Sequence, residues 1–360
     1  LRRSKAIRNL LLSILLTGVS LIAAFVLAEA FVRFAETDGS NFDIEMWRYA
    51  RDLKRVSAIP GMGHEHVPGR SGTYMGVPVA INSVGWRDRE YTRRKPPGTV
   101  RIMMLGDSLT FGWGAPPEGV TSNILEDLLG HLDGHKYEVL NTGIGNSNTA
   151  MEVAYFLNEG YTFEPDIVVL NFFINDAEPT PSRNNNFLID NSYAAVFLAG
   201  RFDTLMRTYF GRENWQEYYR SLYEPDQPGW QVARKAIAEL ATFCRERGIR
   251  LVLVHYPELH QLSPYPFQDV TDMVQAQARA QDIPFLDLLP AIAAEPPASL
   301  WVTKTDAHPN GKAARKFAAS LLGFFEETYP ETFGQGAVSS HSAASSQPAA
   351  TDAALASGGM

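Results

Sequence analysis

From residue 100 onward, short apolar runs alternate with amphipathic stretches, and this alternation limits the fold more than any other feature of the chain. Residues 100–105, 137–141, 166–173, 249–255 and 284–288 have the length and composition of buried strands. Between them, residues 120–132, 150–159 and 232–247 place apolar side chains at helical spacing. In the last of these, Ala233, Ala236, Ile237, Leu240 and Cys244 share one face, and residues 311–328 close the series as a further helix. A strand that feeds a helix cannot return by a tight turn, so successive strands run parallel and helices cover both faces of the sheet. The predicted class is α/β, with a parallel sheet between two helical layers.

In open parallel sheets, ligands bind beyond the carboxyl ends of the strands. Here the first strand ends in Gly106-Asp107-Ser108 and the second in Asn141-Thr142-Gly143-Ile144-Gly145. The third ends in Phe172-Phe173-Ile174-Asn175-Asp176, and Asp306-Ala307-His308-Pro309-Asn310 leads into the last helix. A serine hydroxyl is a weak nucleophile until a base takes its proton, and that base works best when a carboxylate orients it. Ser108, His308 and Asp306 supply these three parts. Asp107 is too close in sequence to Ser108 to act as the acid, since adjacent side chains point apart; a turn-stabilising role suits it better. Asp306 and Asn310 compete as caps for the helix that follows.

Together these blocks resemble the SGNH hydrolases, also called the GDSL esterase/lipase family. Gly106-Asp107-Ser108-Leu109 matches the first block of that family, and Asn141 to Gly145 resembles the second. Asn175-Asp176 resembles the third, and Asp306-Ala307-His308-Pro309 the fifth. The resemblance covers roughly residues 98–328 and implies a flavodoxin-like three-layer α/β/α sandwich. It also implies roles: Ser108 as nucleophile, His308 as general base, Asp306 as its orienting acid. The oxyanion hole would consist of the N–H groups of Ser108 and Gly145 and the side-chain amide of Asn175. Asp107, Asn146, Asp176 and Trp113 are expected to line the site. Three departures stand out. Phe173 occupies the position of a family glycine, and an ungapped alignment sets Asn146, not Gly145, at the second-block glycine. Thr305 holds the usual acid position, with Asp306 only two residues before His308, a spacing also found in related envelope-polysaccharide acetyltransferases.

The other segments set the context. Residues 10–28 carry no charge and follow Arg2, Arg3, Lys5 and Arg8. A stretch of about 20 apolar residues spans a bilayer as a helix, and its basic flank stays in the cytoplasm. Residues 1–30 are therefore expected to be a transmembrane signal anchor; a signal peptide cleaved near Ala28-Glu29-Ala30 is the rival reading. The expected location is the inner (cytoplasmic) membrane, single-pass, with the catalytic domain periplasmic. Residues 31–97 read as an irregular linker with small strands, 98–330 as the hydrolase domain and 177–229 as an insertion. Residues 331–360 read as a disordered, low-complexity tail. The net charge of −8, with basic residues crowded at the N-terminus, argues against a nucleic-acid partner. The single Cys244 excludes an internal disulfide. His64-Glu65-His66 does not complete a metal site, so no metal or other cofactor is expected.

The expected function is a serine-dependent ester hydrolase acting on a small acyl ester or acylated carbohydrate in the cell envelope, with acetyl the favoured acyl group. An O-acetyltransferase with the same triad shares the acyl-enzyme. A non-catalytic glycan- or partner-binding protein on this fold is the alternative from a different class.

Overall fold

The computed structural model describes residues 2–132, 136–180, 186–210 and 214–334, side chains 2–4, 203, 204 and 207–210 excepted. The expected tail begins too early: residues 331–333 belong to the short helix Pro330–Phe333, whose Phe333 is buried against Tyr137 and Phe325. Residues 335–360, with residues 181–185 and 211–213 of the insertion, lie outside the described residues.

Five parallel strands form the central sheet: β1 (Thr99–Leu105), β2 (Lys136–Asn141), β3 (Ile167–Phe172), β4 (Arg250–His255) and β5 (Phe285–Asp287). Their order is β2-β1-β3-β4-β5, the flavodoxin-like arrangement, whose order reverses beside β1. Side chains alternate across a strand, so each strand supplies both layers. Ile102, Met104, Val139, Val169, Val252 and Val254 pack with Leu125, Leu129, Phe317, Leu321 and Phe325 on one face. Met103, Leu105, Leu140, Val168, Leu170 and Leu253 pack with Val153, Phe156, Ile237, Leu240 and Val274 on the other. The helices Thr121–Gly130 and Gly311–Thr328 form the first layer, and Thr149–Asn158, Pro228–Glu246 and Gln268–Ala280 the second. Burying each large apolar side chain contributes about 1.5–3 kcal/mol, enough in sum to fix strand register and helix placement.

The helix Arg2–Ala35 is long and apolar enough to cross a membrane, and its side chains from Leu10 to Leu16 are exposed. Its last turns touch the body. Val32 packs with Ile44, Tyr193 and Val196. Glu29 accepts hydrogen bonds from the Ser192 hydroxyl and the Ala194 N–H, both at 2.8 Å, at the start of the helix Tyr193–Phe210.

Residues 36–97 depart from the expected irregular linker. They contain an amphipathic helix, Phe42–Leu53, capped by Asn41, and two hairpins, Lys54–Val56 with His64–His66 and Ser71–Tyr74 with Val77–Ala80. Tyr49, Leu53, Tyr74, Val79 and Ile81 join Phe111 and Trp113 in a third hydrophobic cluster. This segment is therefore packed against the turn that carries Ser108.

Candidate active site

β1 stops because Gly106 begins a tight turn: a Cβ there would lie 2.0 Å from Thr110 Oγ1. Asp107, buried, accepts the Leu109 N–H at 2.8 Å. That bond caps the single helical turn Ser108–Phe111, which Gly112 ends in the left-handed region at φ 78°. Asp107 thus shapes the nucleophile turn.

Arg87 holds the same turn from behind. Its buried guanidinium donates to the carbonyls of Phe111 (3.2 Å), Gly112 (2.6 Å) and Ala115 (2.7 Å). The adjacent Asp88 accepts the Asn141 N–H at 2.9 Å, tying the same segment to the end of β2. Replacing Arg87 by Met leaves three carbonyls without their donor and is expected to destabilise the protein by about 2–5 kcal/mol. A urea melt measures this; an unchanged midpoint would show that the clamp is not needed.

His308 and Asp306 sit on the second strand of a hairpin, Trp301–Thr303 with Asp306–Pro309. Residues two apart on a strand face the same side, so this short spacing brings carboxylate and imidazole together. His308 Nδ1 lies 2.5 Å from Asp306 Oδ1, and His308 Nε2 lies 2.9 Å from Ser108 Oγ. Because the carboxylate takes the Nδ1 proton, Nε2 accepts the serine hydroxyl. Asp306 Oδ2 receives the Trp113 indole N–H at 3.1 Å. Burial opposes the charge on Asp306, but the bonds from His308 and Trp113 outweigh it and hold the carboxyl below its usual range. Asn310 caps the helix Gly311–Thr328, leaving Asp306 to His308. Trp113 is buried and supports the acid instead of lining the cavity.

On the opposite side of Ser108, the geometry corrects one expectation. The Gly145 N–H donates to the Tyr49 hydroxyl at 3.0 Å, and the Gly145 carbonyl accepts from Lys54 at 2.8 Å. Its amide is therefore already bound. The neighbouring Asn146 is exposed at φ 62°, and among the described residues its N–H takes no partner. The Ser108 N–H opens a helix and has no intrahelical acceptor. The Asn175 side chain lies near enough to Asp107 to favour its charged form, which places it beside the nucleophile turn. Asp176 is buried beneath, where it accepts the Phe173 N–H at 2.6 Å and steadies the end of β3.

Residues 104–316 match the GDSL-like Lipase/Acylhydrolase family. The chain belongs to this family. Solved structures similar to it include a lipase/acylhydrolase from Enterococcus faecalis, 15% identical, covering 63% of this chain and 96% of that one with a TM-score of 0.40. A catalytic mutant of an acetylxylan esterase from Geobacillus stearothermophilus is 16% identical and covers 62% and 93%, with a TM-score of 0.43. A GDSL-like lipase from Bacteroides thetaiotaomicron is 17% identical and covers 63% and 88%, with a TM-score of 0.36. Comparison with curated protein sequences gives no match.

The GDSL-type turn in this chain rests on a group of buried carboxyls. Burial raises the pKa of Asp107, and raises those of Glu152 and Asp176 well above the carboxylate range, reinforced by their mutual repulsion. A group that holds its proton more tightly when folded stabilises the fold below its unfolded pKa. That contribution is lost as pH rises through the folded value. Glu152→Gln mimics the protonated form, so it should raise the melting temperature at pH 8 and leave it nearly unchanged at pH 4. Equal effects at both pH values would remove the ionisation argument.

A cavity of about 390 Å³ opens beside His308, lined by Phe42, Leu109, Phe173 and Ile174 on its apolar side. Phe173, the departure from the family glycine, is part of this wall. Phe172 is in the core, and Phe187, with 79% of its surface exposed, lies away from the cavity lining. His66, expected at the surface, is buried: Nδ1 donates to the Gly85 carbonyl at 2.9 Å, so Nε2 accepts the Tyr49 hydroxyl at 2.6 Å. Burial lowers the pKa of His66 to about 3, which keeps it neutral in that chain. His255 is buried against Phe172 and Phe285, whereas His260 does line the cavity. Sequence reasoning missed Tyr49, Lys54 and Arg87, whose partners lie far along the chain. The signal for the helix carrying Tyr49 was present, in the Asn41 cap and the spacing of Phe42, Met46, Tyr49 and Leu53.

Proposed function

We propose that this family member is a serine-dependent esterase that works through an acyl-enzyme on Ser108. The observation that carries the reading is the unbroken hydrogen-bond chain from Ser108 through His308 to Asp306. Ser108 Oγ attacks the ester carbonyl as its proton passes to His308 Nε2. The imidazolium then forms against the Asp306 carboxylate. The N–H groups of Ser108 and Asn146 and the Asn175 amide are assigned to the oxyanion; one such donor is worth about 3–4 kcal/mol of barrier. His308 returns the proton to the leaving alcohol. Water repeats the sequence on the acyl-enzyme and releases the acid. Phe173 adds bulk to the cavity beside His308 and favours a short acyl group such as acetyl.

We assign the helix Arg2–Ala35 as a membrane anchor that places the catalytic body outside the cytoplasm, on the strength of its basic flank and exposed apolar surface. Protease protection in intact spheroplasts tests the side; a body shielded from external protease would overturn it.

The catalytic reading is tested by labelling with a fluorophosphonate and by turnover of p-nitrophenyl acetate. Ser108 is expected to be the labelled residue. Turnover that survives Ser108→Ala would sink the proposal. Product analysis with a sugar acceptor then distinguishes water from a sugar hydroxyl as the second nucleophile.

A further inference from the structure

The cavity that holds His308 and Asp306 contains a second histidine–carboxylate pair that acyl transfer does not use. Glu258, buried, accepts the backbone N–H of His260 at 2.9 Å and is hydrogen-bonded to His260 Nδ1. Among the described residues, that leaves Nε2 without a partner, on a ring whose side chain is 54% exposed. The imidazole is flanked by two indoles, Trp215 at 5.6 Å and Trp301 at 5.0 Å between ring centroids. The support is rigid. Tyr265 Oη accepts the Glu258 N–H at 2.9 Å, and the Trp301 indole N–H is bound to the Leu259 carbonyl at 3.0 Å. Trp215 rests on Phe267, 5.4 Å away, and keeps 37% of its own surface exposed toward solvent and cavity.

These groups select a ligand chemistry. Because Nδ1 is turned to Glu258, Nε2 is the polar edge left to face a ligand, and the hydrogen bond to Glu258 raises the pKa of His260. The Glu258 carboxylate is paired with the ring, and Asp306 lies near enough to add to the negative field. An anionic ligand would meet no net positive charge. A long acyl chain would cover Nε2 without satisfying it, at a cost in binding. A ring with hydroxyl or ring oxygens on its edge and C–H groups on its face satisfies both the imidazole and the indole.

We propose that His260, held by Glu258, and Trp215 form a subsite for a neutral pyranose ring, the alcohol part of the ester. This rests on the esterase reading, with the acyl group directed to Ser108 and the sugar to His260. His260 Nε2 hydrogen-bonds to a sugar hydroxyl, which can donate or accept, while the ring stacks on Trp215. Both residues are exposed, so their replacement spares the core.

The test compares glucose pentaacetate with p-nitrophenyl acetate, which has no sugar. Trp215→Ala and His260→Ala should each lower kcat/KM for glucose pentaacetate by about tenfold and leave p-nitrophenyl acetate within about twofold. Equal losses on both substrates, or no loss on the sugar ester, overturn the subsite. A preference for p-nitrophenyl octanoate that depends on Trp215 assigns the cavity to an acyl chain and also overturns it. Binding of glucose pentaacetate to the Ser108→Ala protein, read by saturation-transfer NMR, separates this proposal from the esterase reading. If the wild type hydrolyses nothing but the NMR signal is present and vanishes with Trp215→Ala, the subsite stands and the esterase reading falls. No binding overturns the subsite.

Discussion

Ser108→Ala is expected to lower kcat by about 10⁴–10⁶ while leaving KM within a few fold and the melting temperature unchanged or slightly higher. The rate falls because the acyl-enzyme cannot form. Substrate binding survives because the cavity wall, Phe42, Leu109, Phe173 and Ile174, is untouched. Stability survives because the lost hydroxyl has its partner in a half-buried imidazole, which water can reach in its place. His308→Ala should cost nearly as much, and the double replacement little more than either. Groups that act as one unit give strongly non-additive losses. If the two single effects multiply in the double variant, Ser108 and His308 do not work as a pair. Kinetics on p-nitrophenyl acetate with active-site titration provides the measurement.

The parts of this site that were legible in the sequence are those fixed by local rules. Strand period and length located β1, β2, β3 and β4 to within a residue or two, because a buried strand must be apolar and short. Ser108 and Asn175 follow directly from strand ends, and the two-residue spacing of Asp306 and His308 works because both lie on one extended segment. What was not legible depends on contacts across long stretches of chain. Gly145 was a reasonable oxyanion donor until Tyr49, 96 positions earlier, took its N–H. His66 sits in a polar, glycine-rich stretch that suggests the surface, yet the same Tyr49 draws it inside. Arg87 carries a charge that composition assigns to solvent, while three carbonyls at the end of the nucleophile turn hold it in the interior. The pairing of His260 with Glu258 was not legible for a related reason. A position after a strand end suggests a residue at the site rim, but the flanking Trp215 comes from the insertion, 45 positions earlier.

Asp306→Asn is expected to lower kcat by about 10⁴, through a conflict that the surroundings of the carboxylate make specific. Oδ1 accepts two donors, His308 Nδ1–H at 2.5 Å and the His308 backbone N–H at 3.0 Å, and Oδ2 accepts the Trp113 N–H at 3.1 Å. An amide has one oxygen and one NH₂ to meet these three donors. With its oxygen toward His308, its NH₂ faces the Trp113 N–H; reversed, it forces the proton onto Nε2 and leaves Ser108 without a base. Trp113→Phe removes the competing donor and lets the amide oxygen settle toward His308. The double variant Asp306→Asn/Trp113→Phe should therefore recover about tenfold in kcat over Asp306→Asn, although Trp113→Phe alone lowers it. A further loss in the double variant would show that Trp113 acts by packing and not through its N–H. The pH dependence has a fixed sign. The folded pKa of Asp306 lies below its unfolded value, so its charge stabilises the native protein above the usual carboxylate range and that contribution is lost as pH falls. The melting temperatures of wild type and Asp306→Asn should accordingly differ at pH 7 and converge toward pH 3.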